Sequence, residues 1–329
     1  MRNRRFIDFS HSWSTVGIYL ILAAALGILA FINPSFFTET SLINLAGTAL
    51  PLIFAGMAQT VAVLVKGIDL SVGSAISLVT VIAATLMQDS WTSIVAVTAL
   101  SLLIGLLIGA VNGGLVVIGR LQAIIVTLAT SSILSGIALF IMPQPGGSIP
   151  GVFAQLVGGS VGPVPLSLLV LGLVIAVIWL PFRNSRFGQG VYAVGGNEQA
   201  AYYSGISVKW VTCSAYIMSG LLAALAGLAL AAQALSGDPT IGAPYTLNSI
   251  AAVVLGGTSL AGGRGGIAGS IAGALVLSII VDILFFLGVS AYYQYIFSGL
   301  IVIIALAAVG VGNKLQVARS RKQGSANAS

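Results

Sequence analysis

The stretch Leu42 to Lys66, LINLAGTALPLIFAGMAQTVAVLVK, decides the fold: it runs twenty-four residues without a charge and ends on a lysine. At about 1.5 Å per residue, a helix of that length crosses the roughly 30 Å hydrocarbon layer of a bilayer. Comparable runs follow at Val16 to Ile32, Ile94 to Ile118 and Ile267 to Leu287. The chain of 329 residues is 58% hydrophobic and 6% charged, with mean hydropathy +1.09, whereas soluble domains carry about 25% charged residues. No stretch alternates with period two, so a closed barrel is excluded and helices remain.

Apolar runs between polar breaks give about ten spans, near 16–33, 42–65, 70–87, 93–118, 123–142, 166–181, 211–234, 246–258, 266–287 and 291–311. Alternating sides from a cytoplasmic N-terminus puts every basic residue on one side. Arg2, Arg4 and Arg5 precede the first span, Lys66 follows the second, and Arg120 the fourth. Arg183, Arg186 and Lys209 follow the sixth, Arg264 the eighth, and Lys314, Arg319, Arg321 and Lys322 the tenth. The opposite loops hold Glu39, Asp89 and Asp238 and no lysine or arginine. By the positive-inside rule both termini are cytoplasmic. Thr246 to Thr258 is short for a crossing, but a re-entrant segment there would turn the basic tail outward. It is therefore expected to cross, shielded from lipid by neighbouring helices.

These features predict an all-α polytopic membrane bundle: a transmembrane domain over 1–312 with a cytoplasmic loop at 183–210, then a polar cytoplasmic tail over 313–329. Topology accounts for the net charge of +6, so no nucleic-acid partner is expected. Cys213 and His11 are each alone in the chain, which excludes an intrachain disulfide, a His-pair metal motif and a Ser-His-Asp triad. The basic amphipathic lead, Phe6 to Trp13, reads as an interfacial anchor. With no small-residue cleavage site close behind it, the first apolar run reads as a retained span.

Forty-one glycines, many at small-xxx-small spacing (Gly105 and Gly109; Gly265, Gly269 and Gly273), predict close helix packing. Two external segments, Pro143 to Pro165 and Ser236 to Tyr245 (SGDPTIGAPY), are rich in proline and glycine and form a structured outer rim, either connection or docking surface. A weak internal repeat pairs GIDLSVGSAISLV with GGTSLAGGRGGIAGSIAGALV, each of which opens a span.

The longest internal loop reads RNSRFGQGVYAVGGNEQAAYYSGISVKW, Arg183 to Trp210. Asn197 is a good N-cap, Glu198 suits the first turn, and Gly205 can take the left-handed position past the end. These signals predict a two-turn helix from Glu198 to Ser204, through Gln199, Ala200, Ala201, Tyr202 and Tyr203, outside the bilayer and shaped for a groove on a partner.

The run GGNEQAAYYSGI resembles the coupling-helix motif of ribose-type permease subunits of bacterial ABC importers, the class serving ribose, xylose, galactose and related solutes. GIDLSVGS (Gly67 to Ser74) and VVLGGTSLAGGRGGIAGSIAGAL (Val253 to Leu275) match the same family. VNGGLVVIGRLQAIIVTLAT from Val111 and SRFGQGVYAVGGN from Ser185 fit it in order and spacing. The sequence departs at Tyr202 and Tyr203, where the family usually has Arg-Leu, and at Gln189, often Arg. The resemblance implies a multi-pass protein of the bacterial inner membrane, with a second copy or a homologous permease completing the path. It also implies two cytoplasmic ATPase subunits and a periplasmic or lipid-anchored solute-binding protein. ATP would be bound by the ATPase subunits and this chain would carry no cofactor. The residues agree: a P-loop needs Gly-Lys-Ser/Thr, and none of Lys66, Lys209, Lys314 or Lys322 follows a glycine.

In GIDLSVGS, Gly67 permits a backbone break, Asp69 or Ser71 can cap the third span, and Asp69 lies close enough in sequence to neutralise Lys66. Gly73 follows in the same motif. The loop with Gly262, Gly263, Arg264 and Gly265 reads the same way, with glycines for close approach and a guanidinium for phospholipid, a helix terminus or the ATPase. Intramembrane acids are costly and usually functional, yet Asp282 is the only one inside a span. Neutral polar residues are more numerous: Gln59, Asn112, Thr127, Thr130, Ser131, Ser132, Gln233 and Asn248. They suit either a path for a neutral polyhydroxy solute or hydrogen bonds between helices. A secondary transporter or channel is the competing reading, with Asp282 or Lys66 and Asp69 as its ion site. An intramembrane enzyme lacks a catalytic constellation.

Overall fold

In a computed structural model of the chain, residues 9–290 are described together with 293, 296, 299, 300 and 303. Arg2, Arg4, Arg5, most of the expected tenth span and the tail 313–329 lie outside the described residues. The first nine expected spans are all helical: α1 (Phe9–Ile32), α2 (Glu39–Leu64), α3 (Val72–Leu86), α4 (Trp91–Val117) and α5 (Ala123–Ile141) come first. After a short helix α6 (Gly151–Gly158) and a hairpin of two-residue strands, β1 (Ser160–Val161) with β2 (Val164–Pro165), the chain turns back. α7 (Leu166–Val174), a π-helical turn Ile175–Trp179 and α8 (Leu180–Asn184) form one apolar stretch. Then come α9 (Arg186–Gly196), α10 (Glu198–Tyr203), α11 (Val208–Ala234), α12 (Ala243–Leu255) and α13 (Ile267–Phe286).

Among the described residues, six helical stretches are long and apolar enough to cross a membrane; α3 and α12 are too short to do so alone. The centre is α11, packed on α4, α2 and α3, with α2 buried over most of its length. α4, α5 and the stretch through α7 turn Leu103, Leu107, Leu128, Phe140 and Leu173 outward, as a lipid-facing surface requires.

Glycine sets the closest approaches. A side chain at Gly105 or Gly109 would collide with the main chain of α11 at Gly220 and Tyr216. At Gly269 or Gly273 it would collide with main-chain atoms of Gly256 and Ala252. The predicted packing role of these residues holds, because with no hydrophobic force separating helix from lipid, backbone contact supplies the adhesion.

The two short helices revise the sequence reading. The side-chain amide of Gln59, one and a half turns before α2 ends, brackets the backbone of Asp69 in the orientation that pairs donor with acceptor, at 2.9 and 3.2 Å. The chain therefore folds back after Leu64, and α3 starts roughly 8 Å inside the bundle rather than at its surface. The segment before α12 enters from the other end. Gly237 pairs with Gly146, the Thr80 hydroxyl donates to the Asp238 carbonyl at 3.4 Å, and the Gly242 N–H donates to Ser77 Oγ at 2.9 Å. A side chain at Gly73 would collide with Thr246 and Gly242. The short, shielded crossing expected at 246–258 is thus one half of a composite, an irregular descent followed by a half-length helix. The N-termini of α3 and α12 meet inside the protein, where irregular backbone is shielded from lipid.

Candidate functional site

Helix α10 forms where the sequence placed it. Asn197 Oδ1 accepts from the Ala200 N–H at 3.0 Å, and Gly205 is left-handed at φ +79°. The Ile206 N–H reaches back to the Ala201 carbonyl at 3.0 Å, closing the helix end. The face it presents differs from the sequence expectation. Ala201 is 4% exposed and packs into the chain's own core, whereas Tyr202 and Tyr203 are 68% and 85% exposed. Their rings meet edge to face at 5.8 Å. With Glu198, Gln199 and Ala200 also exposed, α10 offers an aromatic outer face anchored by one buried alanine.

The sequence did not indicate α9, an amphipathic helix that ties α10 to the bundle. A side chain at Gly195 would collide with the Leu64 carbonyl and with the Gly263 main chain. The Gly263 N–H also donates to that carbonyl at 3.0 Å. Gly262, Gly263 and Gly265 all have positive φ, so the loop between α12 and α13 needs its glycines both for conformation and for contact. Arg264 itself is exposed. The end of α2, the end of α9 and the glycine loop before α13 thus touch through main chain.

The second site is the break at 67–71. Asp69 is 2% exposed. One carboxylate oxygen accepts from the Ser71 N–H at 3.0 Å and the Ser71 hydroxyl at 2.6 Å, and the other accepts from the Ser219 hydroxyl at 2.8 Å. Lys66 is exposed and does not neutralise this carboxylate, contrary to the sequence expectation. The left-handed residue at this break is Lys66, at φ +64°. Gly67 instead leaves room for the hydroxyl of Tyr216, with which any side chain there would collide. Ser71 takes the N-cap position of α3 without a side-chain cap of its own, and Asp69 serves its amide instead.

Four of the eight candidate path residues belong to this network. Asn112 Nδ2 donates to Ser71 Oγ at 2.9 Å, and the Thr130 hydroxyl donates to Asn112 Oδ1 at 2.7 Å. Thr127 donates to the Ile68 carbonyl at 3.1 Å, and Gln59 holds Asp69 as described. Gln233 donates to the Gly47 carbonyl, and Ser132 to Leu128 of its own helix. Among the described residues, Ser131 and Asn248 alone of that set have side chains not engaged in this way, and both are half-buried. Ser219 and Tyr216 complete the site, yet a single serine and tyrosine in an apolar helix gave no signal that set them apart.

The profile of the family described as "Branched-chain amino acid transport system / permease component" matches residues 41–306. Over 318 residues the chain is 39% identical to the ribose import permease protein of Escherichia coli (strain K12), covering 94% of this chain and 97% of that one. It is 33% identical to the D-allose transport system permease protein of the same organism, over 91% and 93% of the two chains. It is 32% identical to its galactose/methyl galactoside import permease protein, over 88% and 92%. No solved structure matches the chain.

Proposed function

The chain belongs to this permease family, and on that premise we propose that it forms the path for a sugar or similar neutral polar solute in an ATP-binding-cassette importer of the bacterial inner membrane. It is a transport subunit and not an enzyme. The observation that carries the reading is similarity over nearly the whole length to import permeases for three different sugars. The exposed Tyr202 and Tyr203 on α10 supply a face for an ATPase subunit, two of which would serve a pair of permeases. Movement there reaches the bundle through Gly195, Gly263 and Leu64 without intervening flexible side chains. The outer rim, α6 with its hairpin and the segment before α12, is where a periplasmic or lipid-anchored binding protein delivers solute. Ser131 and Asn248 are the remaining candidates for solute contact, suited to hydroxyl groups and offering no ion-coupling charge.

Uptake of radiolabelled pentoses and hexoses, measured in a strain lacking this chain and in the complemented strain, tests the reading. Loss of one or two sugars on deletion is expected. Vesicles containing the purified chain alone should not accumulate solute; accumulation driven by a proton or sodium gradient would overturn the proposal.

A further inference from the structure

A cleft of about 1270 Å³ opens at the basic end of the bundle, between α10, the ends of α2 and α4, and the start of α11. Lys66, Arg120 and Lys209 line it, with Glu198 the acid on its wall, and none of the three cations forms an ion pair among the described residues. Lys66 and Arg120 are two of the three described non-glycine residues with positive φ, at +64° and +52°. Backbone of that kind is strained for a side-chain-bearing residue and clusters at functional positions. Here it aims two cations from different helix ends into one space.

Two further features face the same space. Ser207 is the N-cap of the 27-residue helix α11 and makes no side-chain cap bond, so the N–H groups of residues 208–210 have no intrahelical acceptor. Tyr216, fully buried, also lines the cleft, and its hydroxyl has no hydrogen-bond partner. A buried phenol left unpaired is costly, and this one lies over Gly67, itself part of the wall. The acid behind them, Asp69, is already bound by Ser71 and Ser219.

Cations without partners, an uncapped helix start and an unpaired phenol are all donors, and their common complement is a multiply accepting anion. We propose that this cleft binds a phosphate group, brought either by an anionic phospholipid headgroup or by a soluble phosphate compound. Its oxygens would be held by Lys66, Arg120 and Lys209 at the mouth and by the α11 N-terminus and Tyr216 deeper in.

The test uses the full-length chain in nanodiscs. Thermal unfolding is followed in phosphatidylcholine alone, with phosphatidylglycerol added, and in phosphatidylcholine with inorganic phosphate titrated against chloride at equal ionic strength. At least one probe should raise the unfolding midpoint. Each of Lys66→Gln, Arg120→Gln and Lys209→Gln should weaken the apparent affinity about tenfold or more. Tyr216→Phe should weaken it too, and that substitution keeps the ring packing if a charge variant fails to fold. Arg183→Gln with Arg186→Gln, outside the cleft, should leave the response intact. A shift with lipid only assigns a headgroup, and a shift with phosphate only assigns a soluble ligand. The proposal fails if neither probe moves the wild type, or if the cleft variants respond like it. It also fails if both probes are silent while Lys209→Gln loses a co-purifying ATPase, which would make the cleft a protein seat.

Discussion

Replacing Asn112 by leucine separates the two roles open to the polar residues of the bundle. Asn112 is fully buried, donates to Ser71 Oγ at 2.9 Å and accepts from Thr130 at 2.7 Å. Leucine keeps the branched skeleton of four side-chain heavy atoms but makes neither bond. Hydrogen bonds between membrane helices average about 0.6 kcal/mol and reach about 1.7 kcal/mol, so losing two costs about 1–3 kcal/mol. The Thr130 hydroxyl left without its acceptor adds about 1 kcal/mol. The expected loss for Asn112→Leu is therefore about 2–4 kcal/mol, and for Thr130→Val about 1–2 kcal/mol. Because one bond is common to both, the double variant should lose less than the sum of the two, by about 0.5–1.7 kcal/mol. Reversible unfolding of the purified chain in mixed micelles, titrated with a denaturing detergent, reads all four corners of the cycle. Coupling indistinguishable from zero, together with normal stability and abolished solute uptake, would refute the reasoning and return both residues to the solute path.

Gly195→Ala should disrupt the junction of α9, α2 and the glycine loop at a cost of about 1–3 kcal/mol and depress solute-stimulated ATP hydrolysis. Gly196→Ala, with open space around it, should do neither, and equal effects of the two in ATPase assays would count against main-chain coupling. Replacing Tyr202 and Tyr203 together by alanine should release the ATPase subunits on co-purification while the unfolding midpoint stays unchanged. Gly205→Ala adds only left-handed strain, about 1–2 kcal/mol, since nothing lies within reach of its side chain, and circular dichroism melts can check that cost. In a Cys213→Ala background, cysteines at Ser148 and Ser204 should be labelled from opposite faces by an impermeant thiol reagent. Labelling of both from outside would invert the topology.

Long helices were legible in the sequence because hydropathy alone specifies them: α2, α4 and α11 fall within a few residues of their expected bounds. The cap of α10 was legible for a different reason, since Asn197 and Gly205 act locally. What escaped was depth. Nothing in GIDLSVGS states that Gln59 will draw Asp69 back into the bundle, because that contact depends on the fold of α2 and α3 together. The identity of the inward residue on α10 escaped likewise, as a helix of six residues has too few turns to show a periodic face. Asn112 and Thr130 were noticed as polar residues in apolar surroundings, but their engagement with each other required the packing of α4 on α5.

The contact between α4 and α11 has a consequence for how this protein can change over generations. At most side-chain interfaces a bulky replacement on one partner can be rescued by a smaller residue on the other. At Gly109 the opposing atoms are the main chain of Tyr216, and at Gly105 they are mainly the main chain of Gly220. A carbonyl has no smaller version, so no second-site substitution can restore the fit. Suppressor screens begun from Gly105→Val or Gly109→Val should recover true revertants, and any lineage that drifts at these two positions has no neighbouring change by which to recover.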